Sequence, residues 1–424
     1  MKFKAQKRQH QLIERITDQH LVVGIDIAQE AHVARAVNFR GIVLGEPLSF
    51  PNNVDGFSSL LHWIRNLQSS YNLAKTVIGM EPTGHYWHNV SRWLSDHNCE
   101  VVLVNPHLVK KNKENRDNTP SKSDIKDALV IADMVKNGYY AFIRSTSEEF
   151  EKLRVLMSNR DFIVKRLVSA VNQINRWVDI VFPELRKVFK NITCVGSLAT
   201  LRLFPTPAEL RELLPQDIIS QWKTIMKRHS GLRRAEQLLS LAKHSVGAPH
   251  AGDVYKLHLK QILEEYDLAT IQLQTIEQEI IAVLERIPIA KQMLSIKGIS
   301  AISLAGILGE SGDLSGYVHG NALLRHAGLN LSEASSGKWR GQMVLSKRGR
   351  PRLRRFLFMA TMCMVMNNPE FKALHWHNVH VKKLKKMKSI MKLCGKLARI
   401  LVGMAQRGEA YSPDKVQPLA PIAA

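Results

Sequence analysis

The chain has 424 residues, 45% of them hydrophobic, with 60 Lys and Arg against 37 Asp and Glu, a net charge of +23 and a pI near 9.9. That length allows two or three domains with sizeable cores, and the charge excess points to a polyanionic partner, nucleic acid before an anionic membrane surface. No apolar run approaches the roughly 18 residues of a spanning helix, the N-terminal stretch has no apolar segment behind its charges, and Cys99, Cys194, Cys363 and Cys394 form no C-x-x-C pair; a membrane span, a secreted disulfide framework and a zinc site are argued against, and a cytoplasmic protein with buried thiols is expected.

The first 140 residues alternate strand and helix signals. "LVVGIDIA" (21–28), "HVARAVNF" (32–39) and "IVLGEPLSF" (42–50) read as a meander of three strands. A helix follows over roughly 54–68, then "KTVIGME" as a strand, "HYWHNVSRWLSDHN" as a helix, "EVVLVNP" as a strand and "KSDIKDALVIADMVKN" as a helix. Three strands followed by β-α-β-α predict an α/β domain over 1–145 with a mixed five-stranded sheet, the order of a ribonuclease H-like arrangement.

From about 148 to 290 strand signals vanish. Ile262, Tyr266, Ala269, Leu273, Ile276, Ile280, Val283 and Ile287 alternate spacings of four and three, and Ile163, Leu167, Ala170, Ile174, Trp177 and Val181 show the same rhythm. These heptad seams predict a coiled-coil helical domain over 146–290. Pairing within one chain and pairing between chains are both open at this point. Pro205 and Pro207 mark the entry to an insertion at about 190–250. The third region, 291–402, is helical; in "MLSIKGISAISLAGILGE", Gly298 separates two helices in a pattern that fits either a helix-hairpin-helix, able to offer backbone amides to phosphate, or a plain helix pair. Residues 403–424, rich in Pro and Ala towards the end, are expected to form a disordered tail.

Four acids fall where this α/β reading would gather them. Asp26 lies inside the apolar run "LVVGIDIA" and Glu81 at the end of "TVIGM", where a carboxylate is costly unless paired or metal-bound. Asp124 and Asp127 are three apart at the start of a helix and share one face. Hard oxygen ligands in such a cluster suit Mg2+ and phosphoryl transfer. Singly, each has an ordinary reading, Asp124 as a first-turn acid complementing the helix dipole and Asp127 as an exposed helix residue.

Between Lys338 and Arg399 there are 17 Lys and Arg and one acid, Glu370, leaving +16 in about a seventh of the chain. Polyanion contacts are expected there. Just ahead of this tract, "LSEASSGKWRG" (331–341) places Ser335 and Ser336 before a glycine, a composition that by itself reads as a turn.

Taken together and in order, "GIDIAQ", "MEPTGHYW", "KSDIKDA", "SIKGIS", "AGLN", "SSGKWRG" and "SKRGRPRLRRFL" resemble the IS-one-ten family of insertion-sequence transposases over about residues 20–400. The resemblance implies a RuvC-like DEDD domain followed by a C-terminal serine transposase domain, acting as a DNA recombinase directed by a structured guide (bridge) RNA. It implies Asp26, Glu81, Asp124 and Asp127 as catalytic Mg2+ ligands, and Ser336, the serine preceding Gly337, as a nucleophile that forms a covalent phosphoserine link to DNA. A composite site across a homodimer or homotetramer is part of the same implication. Lys338, Arg340, Lys347, Arg348, Arg350, Arg352, Arg354 and Arg355 are the candidates for nucleic-acid phosphate contacts. A site-specific DNA invertase of the same family, a metal-dependent junction nuclease using water, and a non-catalytic nucleic-acid-binding protein are the alternatives.

Overall fold

The computed structural model describes residues 2–116, 123–143, 147–226, 231–247, 252–332, 335–336, 339–341, 343–414 and 416. The chain divides into two compact units, Met1–Ser145 and Thr146–Ala424.

The first unit is a mixed α/β layer structure. After α1 (Lys2–Glu14) come β1 (His20–Asp26), β2 (Ala31–Val37), β3 (Val43–Pro51), α2 (Val54–Ser70), β4 (Lys75–Met80), α3 (Trp87–Asp96), β5 (Glu100–Val104), α4 (Pro106–Arg116), α5 (Asp124–Lys136) and β6 (Tyr140–Phe142). The sheet order is β3-β2-β1-β4-β5-β6. β1, β2 and β3 form an antiparallel meander, β1, β4 and β5 run parallel, and β6 returns antiparallel along β5. The sheet therefore has six strands where the sequence pattern predicts five; β6 is only three residues long, too short to show an alternation of its own.

Alternation along β1 divides its residues between two cores. Leu21, Val23 and Ile25 pack on one face with Phe57, Leu60 and Ile64 of α2 and Val90 and Leu94 of α3. Val22 packs on the other with Ile131 and Val135 of α5 and Val109 of α4. Gly24 belongs to this second face: a Cβ there would lie 2.1 Å from the carbonyl oxygen of Ala128 and 2.4 Å from the amide nitrogen of Ala132. Strand and helix backbones thus touch, which only glycine permits. Gly24→Ala is expected to push α5 off the sheet and destabilise this unit by at least about 3 kcal/mol, measured as a lower urea midpoint.

The second unit is mainly helical. Two 34-residue helices, α6 (Glu148–Val181) and α12 (Gly252–Glu285), pack along each other. Arg160 pairs with Glu277, Arg166 hydrogen-bonds Gln272, and Trp177 donates to the Tyr255 carbonyl, so the pair is antiparallel and forms within one chain. The residues of both heptad seams are buried or half-buried. Between them lie α7 (Leu185–Val188), α8 (Val195–Leu203), α9 (Pro207–Leu210), α10 (Pro215–Ile225) and α11 (Leu232–Lys243), closed around Trp177 and Trp222 in a core of their own. Buried Trp222 is satisfied by donating to the Thr200 hydroxyl at 3.0 Å.

The opposite ends of α6 and α12 share a larger core with α13 (Pro288–Leu294), α14 (Ala301–Ser311), α15 (Gly320–His326), α16 (Pro351–Asn367), α17 (Pro369–Trp376) and α18 (Lys386–Arg407). Gly298 has φ +97° in the turn between α13 and α14, and the Ser300 hydroxyl caps α14 by accepting the Ser303 amide at 3.2 Å. The expected tail from 403 is corrected in part. Helix α18 runs to Arg407, Lys396 donates to the Val416 carbonyl at 2.9 Å, and Tyr411 donates to Glu370 at 3.3 Å; residues 417–424 lie outside the described residues.

Of the four thiols only Cys394 is buried, which pushes it up to about 11; the other three are partly exposed, and all four are unpaired. Among the described residues, no helix is long and apolar enough to cross a membrane.

Candidate active site and nucleic-acid interface

The parallel register of β1 and β4 pairs Ile25 with Met80. Asp26 ends β1 and Glu81 directly follows β4, so both acids emerge side by side at one end of the sheet. Asp26 is two positions beyond Gly24 and therefore faces α5, as Gly24 does. Asp124 and Asp127 occupy the first turn of α5, immediately before the Ala128–Gly24 contact. The close backbone approach at Gly24 is what brings the helix acids to the strand acids.

The electrostatics show that the four carboxylates share one neighbourhood. Burial, then Asp127, Asp124 and Glu81, raise the Asp26 carboxyl from the ordinary carboxylate range to about 6. Burial raises Glu81 as well, and Asp127 adds to it. Asp127 is buried, at 6% exposure, and is ion-paired with Lys113 of α4, whose ammonium also opposes the rise at Asp26 and Glu81. Asp124 is exposed. Among the described residues no three His, Cys, Asp or Glu side chains stand close enough to hold one ion together. The site is thus a pool of negative charge rather than a ready-made cage. That donor set fits Mg2+, which typically takes one or two carboxylates and fills its other positions with water and substrate phosphate.

Lys113 is the residue that sequence reasoning missed. Its helix lies in the polar run "HLVKKNKENR", which shows no apolar periodicity. A usable signal was the spacing of four between buried Val109 and Lys113, which puts both on the face of α4 turned to α5.

In the second unit, two short ladders form a β-arm. β7 (Leu331–Ser332) pairs with β10 (Val344–Leu345), and β8 (Ser335–Ser336) pairs with β9 (Trp339–Arg340). Ser336 opposes Trp339, so only residues 337 and 338 separate the inner strands and Ser336 stands at the tip. The two ladders are out of step by one: two residues, 333–334, separate them on the outgoing side and three, 341–343, on the return.

The base of the arm is clamped where "AGLN" meets "SKRGR". The Ser346 amide donates to the Asn330 carbonyl at 2.9 Å, the Lys347 amide to Gly328 at 3.0 Å and the Arg350 amide to His326 at 2.8 Å. Arg354 donates to the carbonyls of Ala327 and Lys347 at 2.9 and 3.3 Å, tying both sides together. Gly328 has φ +68°, and a Cβ there would lie 2.8 Å from the Lys347 carbonyl carbon.

Several of the arginines expected to meet phosphate also bond to groups of the protein itself while remaining partly exposed. Arg350 donates to the Glu310 carbonyl at 2.9 Å; Arg352 bridges Glu310 and Asp161 at 3.3 and 3.1 Å; Arg355 pairs with Asp161 at 2.6 Å. Glu310 is buried at 8% exposure. Lys347 and Arg348 are exposed beside the arm. Arg340 lies in β9, and Lys338 falls outside the described residues. Asp161→Asn is expected to cost about 1 kcal/mol by weakening the pairs to Arg352, which keeps Glu310, and to half-exposed Arg355, read from the denaturant midpoint. Arg348→Ala should leave that midpoint in place and weaken DNA binding in a filter or anisotropy assay, with a shallower salt dependence.

Two parts of the chain match known transposase families. Residues 23–183 match a family described as Transposase, and residues 290–375 match the Transposase IS116/IS110/IS902 family, together more than half of the chain. The uncharacterized 44.8 kDa protein of insertion element IS116 from Streptomyces clavuligerus is 25% identical over 263 residues, 58% of this chain and 61% of its own length. The transposase for insertion sequence element IS1328 of Yersinia enterocolitica is 23% identical over 328 residues, 77% of this chain and 82% of its own. With an acid-bearing α/β unit in the first matched region and the clamped β-arm in the second, the chain belongs to the IS116/IS110/IS902 family of insertion-sequence transposases.

Proposed function

We propose that the chain cuts and rejoins DNA strands to move an insertion sequence, using Asp26, Glu81, Asp124 and Asp127 around Mg2+ and Ser336 as the nucleophile. The observation that carries this reading is the gathering of the four acids at the ends of β1 and β4 and the start of α5, where burial and then the neighbouring acids hold Asp26 at about 6. Acidic groups gathered against their own repulsion are a mark of a site built for charge. The strand order, a meander followed by parallel β1, β4 and β5, supports a ribonuclease H-like, RuvC-like description of the domain.

When bound, Mg2+ supplies positive charge for the oxygens of a scissile phosphate. The acids hold and orient that charge. Ser336 attacks phosphorus through Oγ, its proton leaves to base or solvent, the bond to the departing sugar oxygen breaks, and a phosphoserine ester stores the strand for exchange. A tip residue on a clamped arm suits that task, since it can reach a duplex while its base stays fixed. A structured guide RNA is the further partner, with target choice carried by base pairing, and the working form is a homodimer or homotetramer acting in the cytoplasm.

Two measurements on the chain purified from cells carrying its element test this. With donor and target DNA, Mg2+ is expected to support strand exchange and EDTA to abolish it. Sequencing the co-purified RNA is expected to return one discrete species; only bulk cellular RNA would remove guidance from the proposal.

A further inference from the structure

A compact basic knuckle joins α17 to α18. Helix α17 ends at Trp376, residues His377–Val381 form a π-helical turn, and the Lys382 amide closes it on the His377 carbonyl at 3.0 Å. Such widened turns occur mostly as isolated features and frequently at functional sites. Here the turn stacks the ring of Trp376 on that of His380, with centroids 5.0 Å apart and planes within 24°. His380 Nδ1 donates to the Trp376 carbonyl at 3.1 Å, which fixes that ring, and Trp376 is 48% exposed.

Beneath the surface the knuckle is anchored. Buried Asn378 accepts the Leu384 amide through its carbonyl at 2.9 Å and the Lys392 ammonium through its side chain at 3.3 Å. His375 meets the buried Ser389 hydroxyl at 2.9 Å. Above it, Lys382, Lys383, Lys385 and Lys386 are all exposed, and no Asp or Glu occurs in sequence between Glu370 and Glu409. A half-exposed tryptophan stacked on a histidine and followed in the chain by exposed lysines has no role in the core of this unit.

We propose that this knuckle binds an unpaired loop of a structured RNA, its lysines taking the phosphates and the Trp376–His380 stack taking one or two bases. The inference rests on the guide-RNA reading above and adds a place for it. Base stacking on an aromatic face requires bases already out of a helix, which RNA loops and bulges present and duplex DNA does not.

The test uses the full chain and fluorescence anisotropy with three labelled probes: an RNA stem-loop with an unpaired loop, the same stem as a blunt RNA duplex, and a DNA duplex. Trp376→Ala is expected to weaken stem-loop binding roughly tenfold and leave both duplexes unchanged, while Trp376→Phe binds like the parent. Replacing Lys382, Lys383, Lys385 and Lys386 together by Ala should flatten the salt dependence by about 0.7 in log–log slope for each phosphate that the lysines no longer neutralise. Unaltered melting temperatures show that the variants are folded. Equal losses on all three probes, or no loss in Trp376→Ala, overturn the loop assignment while guidance by RNA stands. Failure of the parent chain to bind the stem-loop overturns both.

Discussion

Ser336→Ala is expected to eliminate the covalent protein–DNA adduct and to lower strand exchange by at least about 1,000-fold, the scale of losing a nucleophile outright. Ser335→Ala should retain both. The two residues are neighbours in β8, and successive strand positions alternate between faces, so the second substitution is a matched control for the first. The adduct is read as a slowly migrating band after denaturing electrophoresis with labelled DNA. An adduct that survives in Ser336→Ala but disappears in Ser335→Ala would move the role by one residue; an adduct that survives in both would place the nucleophile on another side chain, and normal cleavage with no adduct in the parent chain would favour water as the nucleophile. Because the base of the arm is tied by backbone bonds from Asn330 to Ser346 and from Gly328 to Lys347, neither alanine should alter the melting temperature.

Asp26→Asn should act in opposite directions on activity and stability. Activity falls by at least about 1,000-fold if the acid helps to hold the metal. Stability in metal-free buffer at pH 7 rises, and the sign follows from the direction of the shift. The Asp26 carboxyl sits at about 6 in the fold, above its unfolded value of 3.8. Its contribution is therefore fully present below the unfolded value and is lost as pH rises through about 6. Asparagine has no proton to lose, so the variant should exceed the parent by about 1–2 kcal/mol at pH 7, after allowing for solvent screening of a half-buried group, and by little at about pH 4. Urea midpoints for both proteins across that pH range, in EDTA, give the comparison. Equal midpoints throughout would mean that neither burial nor the neighbouring acids disfavour the Asp26 carboxylate.

Most of the first unit was legible because its strands are bounded by turns and its helices carry apolar faces. The α/β order, Asp26 in the first strand and Glu81 at the end of the fourth follow from "LVVGIDIA" and "KTVIGME" alone, and the structure ends the first strand at Asp26. Helix α4 was hard to read, since after Leu108 and Val109 the run "KKNKENR" carries no apolar residue, and with it Lys113 stayed hidden. The partners of the arginine tract within the protein were hidden for a different reason. Density of charge along the chain says nothing about partners far away in sequence, and Asp161 and Glu310 reach Arg352 and Arg355 only after the helices have packed. The stretch around Ser336 reads as a turn from composition; its arm depends on pairing across 331–345 and on the clamp at "SKRGR", which local propensity does not encode.

The contact of Gly24 with Ala128 and Ala132 has a genetic consequence. Because α5 rests on β1 through main chain, the spacing between the strand acids and the helix acids is a property of two backbones and not of side-chain length. No exchange of Asp for Glu at 124 or 127 can make good a displaced helix, as it would lengthen one arm of the site without restoring its origin. Intragenic revertants of Gly24→Ala should therefore be true revertants back to glycine, and a selection for restored transposition should return few or no second-site suppressors among the four acids.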